Sequence, residues 1–124
     1  MSGRAISLFR HESGTGIVVV RGEHDLSTVD ELRDALNRAL EAPAMIVDLS
    51  ETAFIDSAVL GVLIASHRAA IEAGHNWALV VGGESSPAVR RILELTGLDV
   101  IMPLYNNTDE ALAAGSASGS GMPG

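Results

Sequence analysis

Short, largely apolar runs alternate along the chain with longer segments whose apolar residues recur every three to four positions. Ala5–Arg10 and Ile17–Arg21 read as two strands joined by a segment holding Ser13, Gly14 and Gly16, which predicts a hairpin. The run Ile17-Val18-Val19-Val20 is apolar without a break, as expected of a strand covered on both faces. From Val29 to Ala42 the period becomes helical: Leu32, Ala35, Leu36, Ala39 and Leu40 form one stripe. Thr28 with Glu31 is a capping-box candidate, Ser27 with Asp30 is the alternative register, and Pro43 ends the helix.

Met45–Leu49 is the next strand. The helix predicted over Ser57–Ala73 is so apolar at its start, from Ala58 through Ala65, that little polar face remains, and Gly74 stops it. Trp77–Val81 is a strand, followed by a Gly82-Gly83 turn. Ser86-Pro87 then opens a helix with cap and proline in the favoured order; Val89, Ile92, Leu93 and Thr96 keep its stripe, and Gly97 ends it. Val100–Leu104 reads as a last strand and Thr108–Ala113 as a short final helix. Such alternation predicts an α/β fold: a mixed, mostly parallel four- to five-stranded sheet with an N-terminal antiparallel hairpin, flanked by helices. One domain is expected over residues 1–113. Residues 114–124, dominated by Gly and Ser, are expected to be a flexible tail.

Composition narrows the chemistry. Apolar residues make up 47 % but aromatics only 3 %, so the core must come from Val, Ile, Leu and Ala. The net charge is −8, and all eight basic residues are Arg. No basic surface is available to replace phosphate counterions, so nucleic acid is not an expected partner. Without Lys, a Walker-type phosphate loop and Schiff-base chemistry are excluded, and a response-regulator receiver, whose resemblance would imply a Lys, is disfavoured. Without Cys, so are disulfides, thiolate catalysis and Cys-ligated metals. No apolar run approaches the roughly 20 residues of a membrane span, and a cytoplasmic location is expected. The four histidines (His11, His24, His67, His75) show no short ligand spacing and read as solvated surface residues, so neither a metal nor a cofactor is expected.

Three segments remain after the core is assigned. Gly22-Glu23-His24-Asp25-Leu26-Ser27 lies between a strand and a helix. Val47 to Leu63 carries Asp56-Ser57-Ala58-Val59-Leu60-Gly61 where a strand-like stretch meets the apolar helix. The third runs from Ser86 to Leu98. Taken alone, Asp56 or Ser57 is an N-cap, Asp25 a cap for the helix near Thr28, and Gly61 an unfavourable helix residue costing roughly 1 kcal/mol relative to Ala. Such a glycine marks a close approach, either by a partner or by the domain's own sheet.

In order and spacing, the three segments resemble the STAS domain of anti-sigma-factor antagonists over about Ala5 to Leu112. That resemblance implies the STAS fold and a role in binding rather than catalysis. Ser57 occupies the position phosphorylated by a partner anti-sigma factor, a GHKL-type ATPase acting as a serine kinase. Asp25 matches an acidic residue that contacts this kinase, and Asp56, Ala58, Val59, Leu60 and Gly61 complete the implied partner-binding set. A separate serine phosphatase closes the implied cycle, and the nucleotide belongs to the kinase. A phosphate on Ser57 would bring about −1.5 to −2 charges against a dry patch expected around Val59 and Leu60, so that docking is lost by local electrostatics. The residues after Ser57 are Ala58 and Val59, where antagonists often read Ser-Gly. A second reading is a STAS scaffold subunit of a signalling or lipid-transport assembly in which Ser57 is never modified.

Overall fold

A computed structural model describes residues 4–82 and 85–121, with side chains as far as Ala114. Gly83 and residues 122–124 lie outside the described residues. The hairpin forms as the pattern predicts: β1 (Ala5–Arg10) pairs antiparallel with β2 (Gly16–His24), from Ala5 opposite Arg21 to Arg10 opposite Gly16. β2 pairs in parallel with β3 (Ala44–Asp48), β3 with β5 (Asn76–Val80), and β5 with β6 (Leu104–Tyr105). The five-stranded path therefore runs β1-β2-β3-β5-β6.

A sixth strand, β4 (Thr52–Ile55), pairs in parallel with the end of β2, His24 opposite Ile55. β3 and β4 are two halves of one line along β2, broken at Leu49–Glu51. There Asp48 Oδ1 accepts from the Ser50 amide at 2.9 Å and from its hydroxyl, turning the chain. Pairing resumes where the Gly22 amide donates to the Glu51 carbonyl at 3.0 Å.

Each face of the sheet has its own cover. Val18, Val20, Met45, Val47 and Leu79 belong to the main core with Leu32 and Leu36 of α1 (Val29–Ala39), Leu63 of α2 (Ser57–Glu72) and Leu93 of α3 (Pro87–Leu95). On the other face Ile17, Val19, Ile46, Ala78 and Val80 pack with Ala111 and Leu112 of α5 (Thr108–Gly121). The β-branched run of β2 is thus buried on both sides, as its composition requires.

Four details differ from the sequence reading. α1 ends at Ala39 rather than Ala42. The Glu41 and Ala42 amides bond to carbonyls three residues back, tightening the chain before Pro43. Val100–Leu104 is not a strand: α4 (Leu98–Ile101) follows Gly97, which sits at φ 74°, and only Leu104–Tyr105 joins the sheet. Leu98 and Met102, four apart, face inward while Val100 and Ile101 stay exposed, a helical period that the unbroken apolar run concealed. The backbone of α5 continues to Gly121, past Ala113 and into the stretch expected to be a flexible tail, with Ala111 and Leu112 anchoring its start. The histidines are not all surface residues, since His24 is buried and His67 and His75 are partly so.

The candidate functional site at the start of the second long helix

His24 and Ile55 are paired at the ends of β2 and β4, so the residues that follow them, Asp25 and Asp56, leave the sheet side by side. This is the C-terminal edge of the parallel strands, where open α/β sheets place their sites. Asp56 is the N-cap of α2 in extended conformation; its Oδ1 accepts from the Val59 amide at 3.0 Å. Its Oδ2 accepts from the Leu26 amide at 3.2 Å. One carboxyl therefore fixes the start of α2 and holds the β2–α1 turn against it.

Ser57 is the first helical residue and is exposed. Among the described residues its hydroxyl meets no partner. The Val59 amide is taken by the Asp56 side chain and the Leu60 amide by the Asp56 carbonyl at 3.0 Å. The Ser57 and Ala58 amides have no acceptor among the described residues, and they leave the helix start receptive to an anion.

Asp25 caps a 3-10 turn, Leu26–Thr28, instead of α1 itself. Its Oδ1 accepts from the Ser27 amide at 2.9 Å and from the Ser27 hydroxyl. The Ser27 hydroxyl bond first, then its amide, with smaller help from the charge of Arg4, hold this exposed carboxyl below its ordinary value of 3.8. The expected Thr28–Glu31 capping box does not form. The Thr28 hydroxyl is engaged elsewhere, with His24 and with the Asp25 carbonyl. In the alternative register Ser27 bonds to Asp25, and Asp30 pairs with Arg33 at 2.8 Å.

The implied partner-binding set divides by exposure. Asp25, Ser57 and Gly61 face outward, Asp56 and Ala58 are half-buried, and Val59 and Leu60 are only 1 % and 5 % exposed. Val59 and Leu60 are core residues and form no outward patch. With α2 apolar all round, periodicity could not say which side faces the sheet. The apolar surface at this edge is supplied by two residues that the sequence reading passed over, Leu26 at 73 % and Phe54 at 45 % exposure. Leu26 follows an Asp in a turn, and Phe54 lies in the unbroken apolar run Ala53-Phe54-Ile55, whose facing is set by the register shift against β2. His24 was missed as well: it shares the inward parity of Val18 and Val20. A Cβ built on Gly61 meets nothing within 4 Å, so the domain's own sheet does not account for this glycine.

Concavity lies elsewhere. A cavity of about 360 Å³ opens at the opposite edge of the sheet, lined by Met45, Ile46, Trp77, Ala78 and Ala111 among others. A smaller one of about 260 Å³ lies between α1 and α2, lined by Leu36, Val62 and Ala65 among others. Neither includes Ser57. Among the described residues no group of three acidic or histidine side chains is placed to hold a metal ion, and no helix is long and apolar enough to cross a membrane.

Comparison with known proteins agrees with this architecture. The family model of the STAS domain matches residues 8–111. The anti-sigma F factor antagonist of Paenibacillus polymyxa is 31 % identical over 105 residues, covering 82 % of this chain and 87 % of that protein. The crystal structure of an anti-sigma factor antagonist from Mycobacterium paratuberculosis superimposes with a TM-score of 0.79 at 34 % identity, over 90 % of this chain and 92 % of that one. The anti-sigma factor antagonist SpoIIAA shares the fold in its unphosphorylated form (TM-score 0.74, 21 % identity, 95 % and 100 % coverage). Its phosphorylated Bacillus form does so too (TM-score 0.66, 20 % identity, 89 % and 98 % coverage). The chain belongs to the STAS domain family.

Proposed function

We propose that this chain is an anti-sigma factor antagonist: a cytoplasmic regulatory protein, not an enzyme, that binds an anti-sigma factor and thereby releases a sigma factor. In this reading the partner is a GHKL-type serine kinase that docks on Asp25, Leu26, Phe54, Ser57 and Gly61. Phosphorylation of Ser57 switches the chain off, and a serine phosphatase restores it. The observation that carries the reading is the separation of roles at the start of α2. Asp56 holds the helix through Val59 and the turn through Leu26, while Ser57 beside it is exposed and unengaged. A phosphate can therefore be added without breaking a bond the fold uses.

The consequence of phosphorylation is electrostatic. The Ser57 and Ala58 amides and the helix dipole accommodate a dianion. A partner surface packed on Leu26 and Phe54, already facing the ionised Asp25, must desolvate that dianion to stay bound. This costs several kcal/mol unless a cation meets it, and 1.4 kcal/mol is already tenfold in affinity. Of the two departures from the usual Ser-Gly after Ser57, Val59 is buried and leaves the outward surface unchanged, while Ala58 is half-buried at its margin. The homologues named as anti-sigma factor antagonists support the reading, as does the existence of a phosphorylated relative of the same fold.

The test is capture of the anti-sigma kinase by wild-type, Ser57→Ala and Ser57→Asp protein, with ATP and intact-mass detection. Wild type and Ser57→Ala are expected to bind, Ser57→Asp at least about tenfold more weakly. One phosphate should appear on wild type and none on Ser57→Ala. Equal capture by all three, with no phosphate on any, overturns the switch and leaves the scaffold reading in its place.

A further inference from the structure

Among the described residues, the buried polar side chains are Thr15, His24, Thr28, Thr52 and Ser85, and His24 is the one ionisable group in that set. Two of the five, His24 and Thr28, serve a single turn. His24 Nε2 lies 2.7 Å from the Arg21 carbonyl, which can only accept, so this nitrogen carries the hydrogen and donates. Its Nδ1 lies 3.0 Å from the Thr28 hydroxyl, and that oxygen lies 3.2 Å from the carbonyl of Asp25. The Thr28 amide donates to the same carbonyl at 3.0 Å. With Nε2 donating, Nδ1 accepts the single Thr28 hydroxyl hydrogen and the Thr28 amide holds the Asp25 carbonyl, so the link runs from the end of β2, through one imidazole and Thr28, to the residue that opens the exposed turn.

An aliphatic side chain would fill this slot without burying two ring nitrogens, whose desolvation must be offset bond for bond. The turn's other tether is the exposed Leu26 amide on Asp56 Oδ2 at 3.2 Å. Asp56 thus ties the turn to α2 from outside, while His24 and Thr28 hold it from beneath.

We propose that His24 is a positioning residue of the docking site: acting through Thr28, it holds the Asp25–Leu26 turn where the partner meets it. Its link to a partner rests on the function proposed above, whereas its hold on the turn is a property of this chain alone. His24 touches neither the partner nor Ser57. Its effect on docking is to spare the partner the ordering of a loose turn.

The experiment has two arms. In the first, amide hydrogen exchange is followed by NMR on the isolated protein as wild type, His24→Leu and His24→Gln. His24→Leu is expected to accelerate exchange at Leu26, Ser27 and Thr28 about tenfold, leaving Val59 and the β3 amides unchanged. His24→Gln, whose amide can donate to the Arg21 carbonyl and accept from Thr28, restores most of the protection. Thr28→Val, nearly isosteric, gives the same acceleration without disturbing the slot and serves if His24→Leu fails to fold. In the second arm, phosphorylation by the anti-sigma kinase is expected to show KM for the chain raised about tenfold by His24→Leu, kcat unchanged, and recovery with His24→Gln. A purely structural role would instead raise exchange at every amide and lower Tm, with KM unmoved. Unchanged turn amides in His24→Leu overturn the proposal, as do faster turn amides with an unchanged KM. A wild type that neither captures the kinase nor acquires phosphate refutes the docking function on its own, while the exchange pattern still decides whether His24 holds the turn.

Discussion

Gly61 gives the sharpest quantitative test of how the exposed side of α2 is used. It lies in the interior of a 16-residue helix, its φ is not in the left-handed region, and an added Cβ meets no atom within 4 Å. Nothing inside the domain requires a glycine here. Gly61→Ala should raise stability by about 0.5–1 kcal/mol, the difference in helix propensity and unfolded-state entropy. For a chain of this length that is a rise in Tm of about 2–4 °C. Urea unfolding should show a higher midpoint with an unchanged slope, because no surface changes hands.

Binding should move the other way. Where a partner's backbone packs on Gly61, an inserted methyl must be relieved by separation, at roughly 1–3 kcal/mol. That is about 5- to 150-fold in Kd, measured by titrating the anti-sigma kinase with both proteins. A destabilised Gly61→Ala protein refutes the reading of free space around the helix. A stabilised protein that binds as tightly as wild type removes Gly61 from the interface.

Asp56→Ala should cost about 1–2 kcal/mol in urea unfolding, since it removes the cap on Val59 together with the Leu26 tether; Asp56→Asn, still a good cap, should recover most of this. Asp25 should titrate below 3.8 when its carboxyl carbon is followed by NMR, and Ser27→Ala should bring it back toward that value, because the Ser27 hydroxyl is the leading cause of the shift. With the folded value depressed, the contribution of Asp25 to stability is complete above its unfolded pKa and is lost as pH falls through the folded one, so Ser27→Ala should flatten the pH dependence of Tm below about pH 4. Deleting residues 115–124 tests the proposed division into a domain and a dispensable tail: Tm should stay within about 2 °C, whereas deletion from Thr108, which uncovers the second face of the sheet, should unfold the protein.

What the sequence made legible was what neighbouring residues decide. Ser86 caps α3 through the Ala88 amide at 3.1 Å with Pro87 behind it, and Gly97 turns at positive φ, both as written in the chain. The hairpin followed from its turn residues, and the two-sided burial of Ile17–Val20 from its unbroken β-branched run. What failed needed knowledge of partners far along the chain. The Thr28 hydroxyl is diverted from its helix by His24, and Thr52, in a stretch read only as strand-like, bonds through its hydroxyl to Val20 across 32 residues. At the site the structure places Asp25, Ser57 and Gly61 outward, but the facing of Val59 and Leu60 was not legible. A helix with apolar residues on every side carries no phase information, and its orientation is set by the sheet it lands on.

The double engagement of Asp56 bears on timing. Since that carboxyl secures both the helix and the turn, neither needs to rearrange when Ser57 gains or loses its phosphate on the proposed cycle. The domain then keeps no record of having been modified: removal of the phosphate returns a surface already competent to dock. The delay before a silenced molecule acts again is set by the phosphatase alone, and a population recovers in proportion to phosphate removed, with no lag for refolding.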